Sequence, residues 1–330
     1  MKKLLLSLIL TLLCWLGWAA YSVTTPYTPP TLPMVITIEA NQNLRQIADI
    51  LEEQQAIRSP WLFMLAAKWT GQAPRLKAGD YRLTAPVSIS ELLDRMEKGE
   101  SIEFSITIPE GWRFSQFRQA LDKHPALKHL GTDLSDQELL TRLGYSHLSA
   151  AEGWFFPDTY RFLRGSSDLD ILRRAHTRLR QQLEQAWNNR APDLPYTSPE
   201  QALIMASLIE KETGHEKDRT QIAAVFVNRL KIGMRLQTDP SVIYGVGASY
   251  RGNLTKKHLQ TDTPYNTYTR AGLPPTPIAL PGRAALDAAL HPASSSALYF
   301  VARGDGTSQF SDTLDQHNQA VRRYILGKKD

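Results

Sequence analysis

Ser198–Gly214 reads SPEQALIMASLIEKETG, and its first four residues announce a helix. Ser198 suits the N-cap, Pro199 the first helical position and Gln201 the N3 position. The pattern predicts a helix to about Thr213, with Gly214 as its stop. Outward from it the chain stays mostly helical. Ser167 or Asp168 caps a long helix with Leu172, Ala175, Leu179, Leu183, Ala186 and Trp187 on one stripe, which reads as core. Another helix runs from about Asp218 to Lys231 and ends at Gly233. A strand pair at 298–301 and 308–310 turns around Gly304-Asp305-Gly306, and a last helix covers about 314–326. Between these, Met234–Gly282 is rich in Pro, Gly, Thr and Tyr, and a loop-rich stretch this long usually builds a site.

The same helix carries the first chemical candidate. Glu210 lies near its C-terminal end, and the residues before it are nearly all apolar. A carboxyl emerging from apolar surroundings is desolvated, so its pKa rises and it can donate a proton near neutrality. Glu212 sits about 200° further round, so the two cannot share a face. The plainer alternative is that Glu210 is one charge of a solvated helix end beside Lys211.

The loop-rich stretch adds Gln237 and Asp239 in QTDP, and Tyr265, Asn266 and Tyr268 in TPYNTY. Aromatic faces and amides hold sugar rings, and loops build clefts. Against that, Asp239 before Pro240 also fits a turn, and the tyrosines also fit packing. Glu152–Tyr160, EGWFFPDTY, reads either as core or as a cleft wall.

Toward the N-terminus the grammar changes. Lys2 and Lys3 precede an uncharged run, Leu4–Val23, whose 20 residues match the length needed to cross a bilayer. No further Lys or Arg occurs before Arg45, so the lysines keep the N-terminus cytoplasmic and place the rest outside. A cleaved signal has a shorter apolar core, and Gly17-Trp18-Ala19 fits a cleavage site only weakly, which favours a retained anchor over residues 1–23. Cys14 reads as a position within the span, because Leu13 is too bulky for a lipoprotein site. Residues 24–33, TTPYTPPTLP, form a stiff tether that holds the later domains off the membrane. Residues 34–108 mix a strand at 35–38 and a turn into a strand over 79–83 with helices starting at Asn43, Ser59 and Ser88. The strict alternation of Ile102, Phe104, Ile106 and Ile108 is a half-buried strand. The fold class is therefore α+β: an anchor, a small α+β module over 34–108, and a larger, mostly helical domain over 109–330 with a loop-rich cleft.

Composition removes several classes. Of 330 residues, 38 are basic and 33 acidic; the part beyond Lys2 and Lys3 carries only +3, too little for a nucleic-acid binder. One cysteine excludes a disulfide framework and a cysteine zinc site. None of the eight histidines has a histidine four residues on, and no G-x-S-x-G occurs. Gly245-Val246-Gly247 lacks the third glycine of a nucleotide loop. Neither a cofactor nor a metal is expected.

Taken together, IPEGW (108–112), EGWFFPDTY (152–160), ASLIEKET (206–213), NRLKIGMRLQTDPSVIYG (228–245), TPYNTY (263–268), GLPPTPIALPG (272–282) and His317-Asn318 resemble the endolytic murein transglycosylase (YceG-like) family. The resemblance implies a membrane-anchored lytic transglycosylase, single-pass in the cell inner membrane with its catalytic part periplasmic and a LysM-like module at 34–108. Peptidoglycan glycan strands are then its substrate and cell-wall synthases its neighbours. It further implies that Glu210, the first Glu of E-K-E-T, protonates the oxygen between N-acetylmuramic acid and N-acetylglucosamine. Glu210 then takes the proton of the muramic C6 hydroxyl as a 1,6-anhydro ring closes. Gln237, Asp239, Tyr265 and Asn266 would bind substrate. Two other readings stay open: a hydrolytic muramidase using Glu210 and Asp239, and a non-catalytic peptidoglycan-binding scaffold.

Overall fold

The computed structural model describes residues 2–327. The chain divides into two compact units. The first holds the chain up to residue 105 with 125–128 and 161–167; the second holds 106–124, 129–160 and the chain from 168 onward.

The first unit opens with helix α1 (Lys2–Thr24), whose segment Leu6–Thr24 is long and apolar enough to cross a membrane. Strand β1 (Met34–Ile38) leads to α2 (Leu44–Glu53) and α3 (Pro60–Trp69), and the chain returns as β2 (Gly79–Leu83), antiparallel to β1 with Met34 opposite Leu83. Helix α4 (Ile89–Lys98) comes next. Ile36, Leu51, Phe63, Tyr81, Leu92 and Met96 fill the core and are almost completely buried. Asn43 caps α2 as its position promises: its side chain accepts from Gln46 N–H (3.0 Å), and Gln46 reaches back to Asn43 N–H (2.9 Å). At α4 only half of such a box forms. Ser88 accepts from Glu91 N–H at 3.1 Å, but the Glu91 carboxylate pairs with Arg95 one turn on.

Two features of this unit had no sequence signal. The proline-rich segment is not a free spacer, because Tyr27 exchanges both backbone hydrogen bonds with Val87 (2.9 and 3.0 Å). Residues 161–167 return to the unit: Asp80, buried, accepts from the Thr37 hydroxyl (2.9 Å) and from Arg164 Nε. A buried carboxylate needs such partners, and losing one leaves an uncompensated charge.

Strand β3 (Glu103–Thr107) pairs with β4 (Thr159–Leu163). The second unit contains α5 (Phe114–Asp122), α6 (Asp136–Leu143), α7 (Asp168–Asn188), α8 (Pro199–Glu212) and α9 (Glu216–Lys231). It continues with α10 (Asp239–Val246), α11 (Lys256–Gln260) and α12 (Arg283–Leu290). It closes with the hairpin β5 (Tyr299–Ala302) and β6 (Ser308–Ser311) and with α13 (Leu314–Tyr324). Helix α8 is the hub. Every residue from Ala202 to Ile209 is buried, in a core shared with α7, α9 and α12. An all-round apolar helix is stable only in such a setting. Truncating one of its leucines or isoleucines to Ala would cost about 2–5 kcal/mol.

The loop-rich stretch 234–282 contains two short helices, α10 and α11, and α12 begins where it ends. Those helices are five to eight residues long, too short for periodicity to stand out. The aromatic residues of the run 152–160 are mainly core, while its first residue, Glu152, lines a cavity of about 520 Å³ with Arg113 and Tyr244. Phe155 stacks on Phe114 (4.7 Å between centroids) and meets Phe117 edge-on, while Phe155, Phe156 and Tyr160 are buried.

Candidate functional site

Glu210 leaves the buried hub at the last turn of α8 and is half-buried. Its Oε2 accepts from the backbone N–H of Gly282 at 3.0 Å. Gly282 is the N-cap of α12, so the carboxyl faces the positive end of a helix. Gly111 approaches its stem: a Cβ there would lie 3.7 Å from Glu210 Cγ. Gly111 N–H donates to Leu280 O (2.8 Å) and Leu280 N–H to Trp112 O (2.7 Å), so the PEGW turn and the ALPG turn clasp each other. Lys211 Nζ donates to Gly111 O at 3.1 Å and closes the clasp.

That clasp brings up a second carboxylate. A Cβ on Gly282 would lie 1.8 Å from Glu110 Oε1, so the Glu110 side chain packs directly on the Gly282 Cα whose N–H holds Glu210. Desolvation pushes the Glu210 pKa up and Glu110 adds to it; the Gly282 N–H, Arg219 and Lys211 pull it back. With one oxygen fixed as an acceptor, such a carboxyl in its protonated form holds the proton on the other oxygen and can deliver it.

The other face of α8 carries a separate groove of about 420 Å³. Glu212 points into it with Arg229, Gln237, Asp239, Tyr268 and His317. Burial pushes Glu212 up to about 7 with help from Asp239, while the Thr238 hydroxyl and Arg229 oppose. Tyr268 donates to Asp239 Oδ1 at 2.6 Å, and Tyr299 stacks on His317 at 5.3 Å. Gln237 is held at φ 51°, a left-handed conformation that non-glycine residues adopt only under tertiary constraint. Thus Gln237 and Asp239 gather beside Glu212, and Asp239 is the first residue of α10 rather than part of a free turn.

The other two candidate residues occupy different places. Tyr265 donates to or accepts from the Thr276 hydroxyl (2.9 Å) and packs edge-on against Tyr244 (4.8 Å). Asn266 is buried, and its amide is spent on backbone. Nδ2 reaches the carbonyls of His258, Leu259 and Thr261, and Oδ1 accepts from Tyr268 N–H. It holds the loop that presents Tyr265 and Tyr268.

Sequence reasoning passed over Glu110 and Glu152. Glu152 is buried, accepts from Phe114 N–H (2.9 Å) and is pushed up to about 7 by desolvation. Each lies in a motif the sequence singles out, IPEGW or EGWFF; an acid inside an aromatic run was the available signal. Asp122, His129 and Asp168 also converge, with potential ligand atoms within 4.8 Å. Asp168, however, already accepts from the N–H groups of Leu130, Gly131 and Leu169, which makes it a loop brace.

Comparison with known proteins places these residues in a wider frame. Residues 36–323 match the model of the YceG-like family. An endolytic murein transglycosylase of Bacillus subtilis is 32% identical, over 89% of this chain and 86% of that protein. One of Streptococcus pneumoniae is 26% identical over 89% of this chain; the match covers 59% of that longer protein. A crystal structure of a YceG-like protein from Listeria monocytogenes superimposes with a TM-score of 0.55 at 31% identity, covering 87% of this chain and 98% of the other.

Proposed function

As this chain belongs to the YceG-like family, we propose that it cuts peptidoglycan glycan strands as an endolytic transglycosylase with Glu210 as its acid and then its base. The protonated Glu210 gives its proton to the oxygen linking N-acetylmuramic acid to N-acetylglucosamine, and that bond breaks. The resulting carboxylate takes the proton of the muramic C6 hydroxyl, whose oxygen bonds to the anomeric carbon. A 1,6-anhydro ring forms, no water enters, and Glu210 ends protonated as it began.

The observation that carries this reading is the Glu210–Gly282 hydrogen bond beside Glu110. It orients one carboxyl oxygen, while desolvation and a neighbouring negative charge favour the protonated form. A water-using muramidase needs a second carboxylate across the bond. Asp239, the partner considered for that role, lies in the Glu212 groove and is bonded to Tyr268. The groove with Gln237 and Asp239 is suited to hold a neighbouring sugar, with Tyr268 and Tyr299 as ring faces.

In this reading α1 is retained as a single-pass anchor, with the rest of the chain periplasmic and close to nascent strands and cell-wall synthases. The burial of Ala19 in the core of the first unit supports retention. Digesting purified peptidoglycan with the full chain and identifying product ends by mass spectrometry tests the chemistry. Anhydro-muramic ends support it; reducing ends bearing the extra water support the muramidase; no release supports a scaffold.

A further inference from the structure

Helix α3 buries one face and leaves another apolar face outside. Leu62, Phe63, Ala66 and Ala67 enter the core of the first unit. Trp61, Leu65 and Trp69, at i, i+4 and i+8, are 42%, 39% and 87% exposed. These three fall within about 80° of the helix circumference. A helix in water places polar residues on such a face. Here the cations are at the ends: Arg58 just before the helix and Lys68 in its last turn. Tryptophan on the apolar face with basic residues at the margins is the composition of a helix lying in a membrane interface.

Helix α1 identifies what covers this face. Trp15 and Trp18 of α1 stack on Trp61, at 6.0 and 6.2 Å between ring centroids. Trp15 stands nine residues before the end of α1 at Thr24. That is about 14 Å along the helix axis, close to half the thickness of a hydrocarbon core. A bilayer that holds Leu6–Thr24 therefore reaches Trp61 as well. A further apolar recess of about 390 Å³ lies between the two helices, lined by Leu16, Ala20, Leu65, Ala66 and Trp69 among others, and its walls are almost free of polar atoms. It suits a lipid acyl chain.

Resting on the anchor reading above, we infer that α3 is a second membrane-contacting element, its Trp61–Leu65–Trp69 stripe inserted in the leaflet at the C-terminal end of α1. The stripe pins the first unit to the bilayer surface. The occupant of this face is lipid, because it is continuous with the only helix among the described residues able to span a membrane.

The test uses the full chain in lipid nanodiscs. The emission lost in Trp69→Phe isolates Trp69, and a fluorescent label on Cys14, the single cysteine, reports on α1. With acyl-brominated lipids both signals should fall more than twofold, and iodide should not quench Trp69. Quenching of the Cys14 label without quenching of Trp69 overturns the inference and leaves the anchor standing. Quenching of neither overturns both. A Trp69 shielded from iodide but insensitive to brominated lipid is covered by protein, which also overturns the inference.

Discussion

Glu210 and Glu212 stand two residues apart on α8, yet their carboxyls open onto different surroundings. Glu210 meets the Gly282 N–H and Glu110, and Glu212 meets Thr238, Asp239 and Arg229. Burial raises both, so pKa alone does not choose between them. Their neighbours do, and the difference gives separable predictions.

Glu210→Gln keeps an acceptor for Gly282 N–H but has no proton to give. It should lower kcat by about 10²–10⁴-fold, with the melting temperature unchanged or higher. Glu212→Gln should mainly raise KM and leave more than about a tenth of kcat, since uniform binding is what a flanking groove supplies. The rate of anhydro-end formation from purified peptidoglycan measures both. Turnover surviving in the Glu210 variant would end the assignment.

Glu110 raises the Glu210 pKa by charge repulsion. Removing that charge with Glu110→Gln lowers it, so Glu210 loses its proton at a lower pH. The alkaline limb of the kcat/KM profile should therefore shift to lower pH. A limb that stays in place would remove Glu110 from the site.

Gly282 is needed for close approach, not for its backbone angle, since its φ of −79° suits any residue. Gly282→Ala puts a methyl where Glu110 Oε1 lies. The clasp must open and misplace Glu210, which should cost about 10–100-fold in kcat. The variant paired with Glu110→Ala, which clears the space, should recover part of the loss.

Glu152 titrates at about 7 in the fold against 4.5 for an ordinary glutamate. Its raised pKa means that folding favours the protonated form. Stability from this group is complete below pH 4.5 and is lost as pH rises through 7, by up to about 3 kcal/mol. Urea unfolding at pH 4.5 and pH 8 should show a smaller fall in Glu152→Gln than in the unmutated chain. Glu212 titrates in the same window, so the difference between the two proteins is the quantity to read.

Asn266→Ala leaves three loop carbonyls and the Tyr268 N–H without their amide partner. The expected cost is about 1–3 kcal/mol of stability, read as a lower melting temperature. An unchanged melting temperature with a raised KM would instead make Asn266 a substrate contact.

Much of the architecture was legible because its signals are local. Asn43 with Gln46, and Ser198 with Pro199 and Gln201, fix helix starts within a few residues of chain. Alternation over 102–108 marks β3, whose buried residue is Ile106 and whose exposed neighbours are Ser105 and Thr107. The short helices α10, α11 and α12 escaped, since five to eight residues do not establish a period. Segment 161–167 was assigned by nothing local; it belongs with the first unit through contacts such as Arg164 with Asp80, 84 residues apart.

The same division runs through the site. The residues themselves determined that an acid follows an apolar helix, and that it lies within a motif resembling a known family. Only the tertiary structure decided what that acid meets. Gly282 lies 72 residues downstream and Glu110 a hundred upstream, and Gln237 and Asp239 were brought to Glu212 instead. Helix caps and periodicity act through bonds spanning four residues, so they are written in the sequence. Desolvation and charge proximity depend on distances through space, which chain order does not encode.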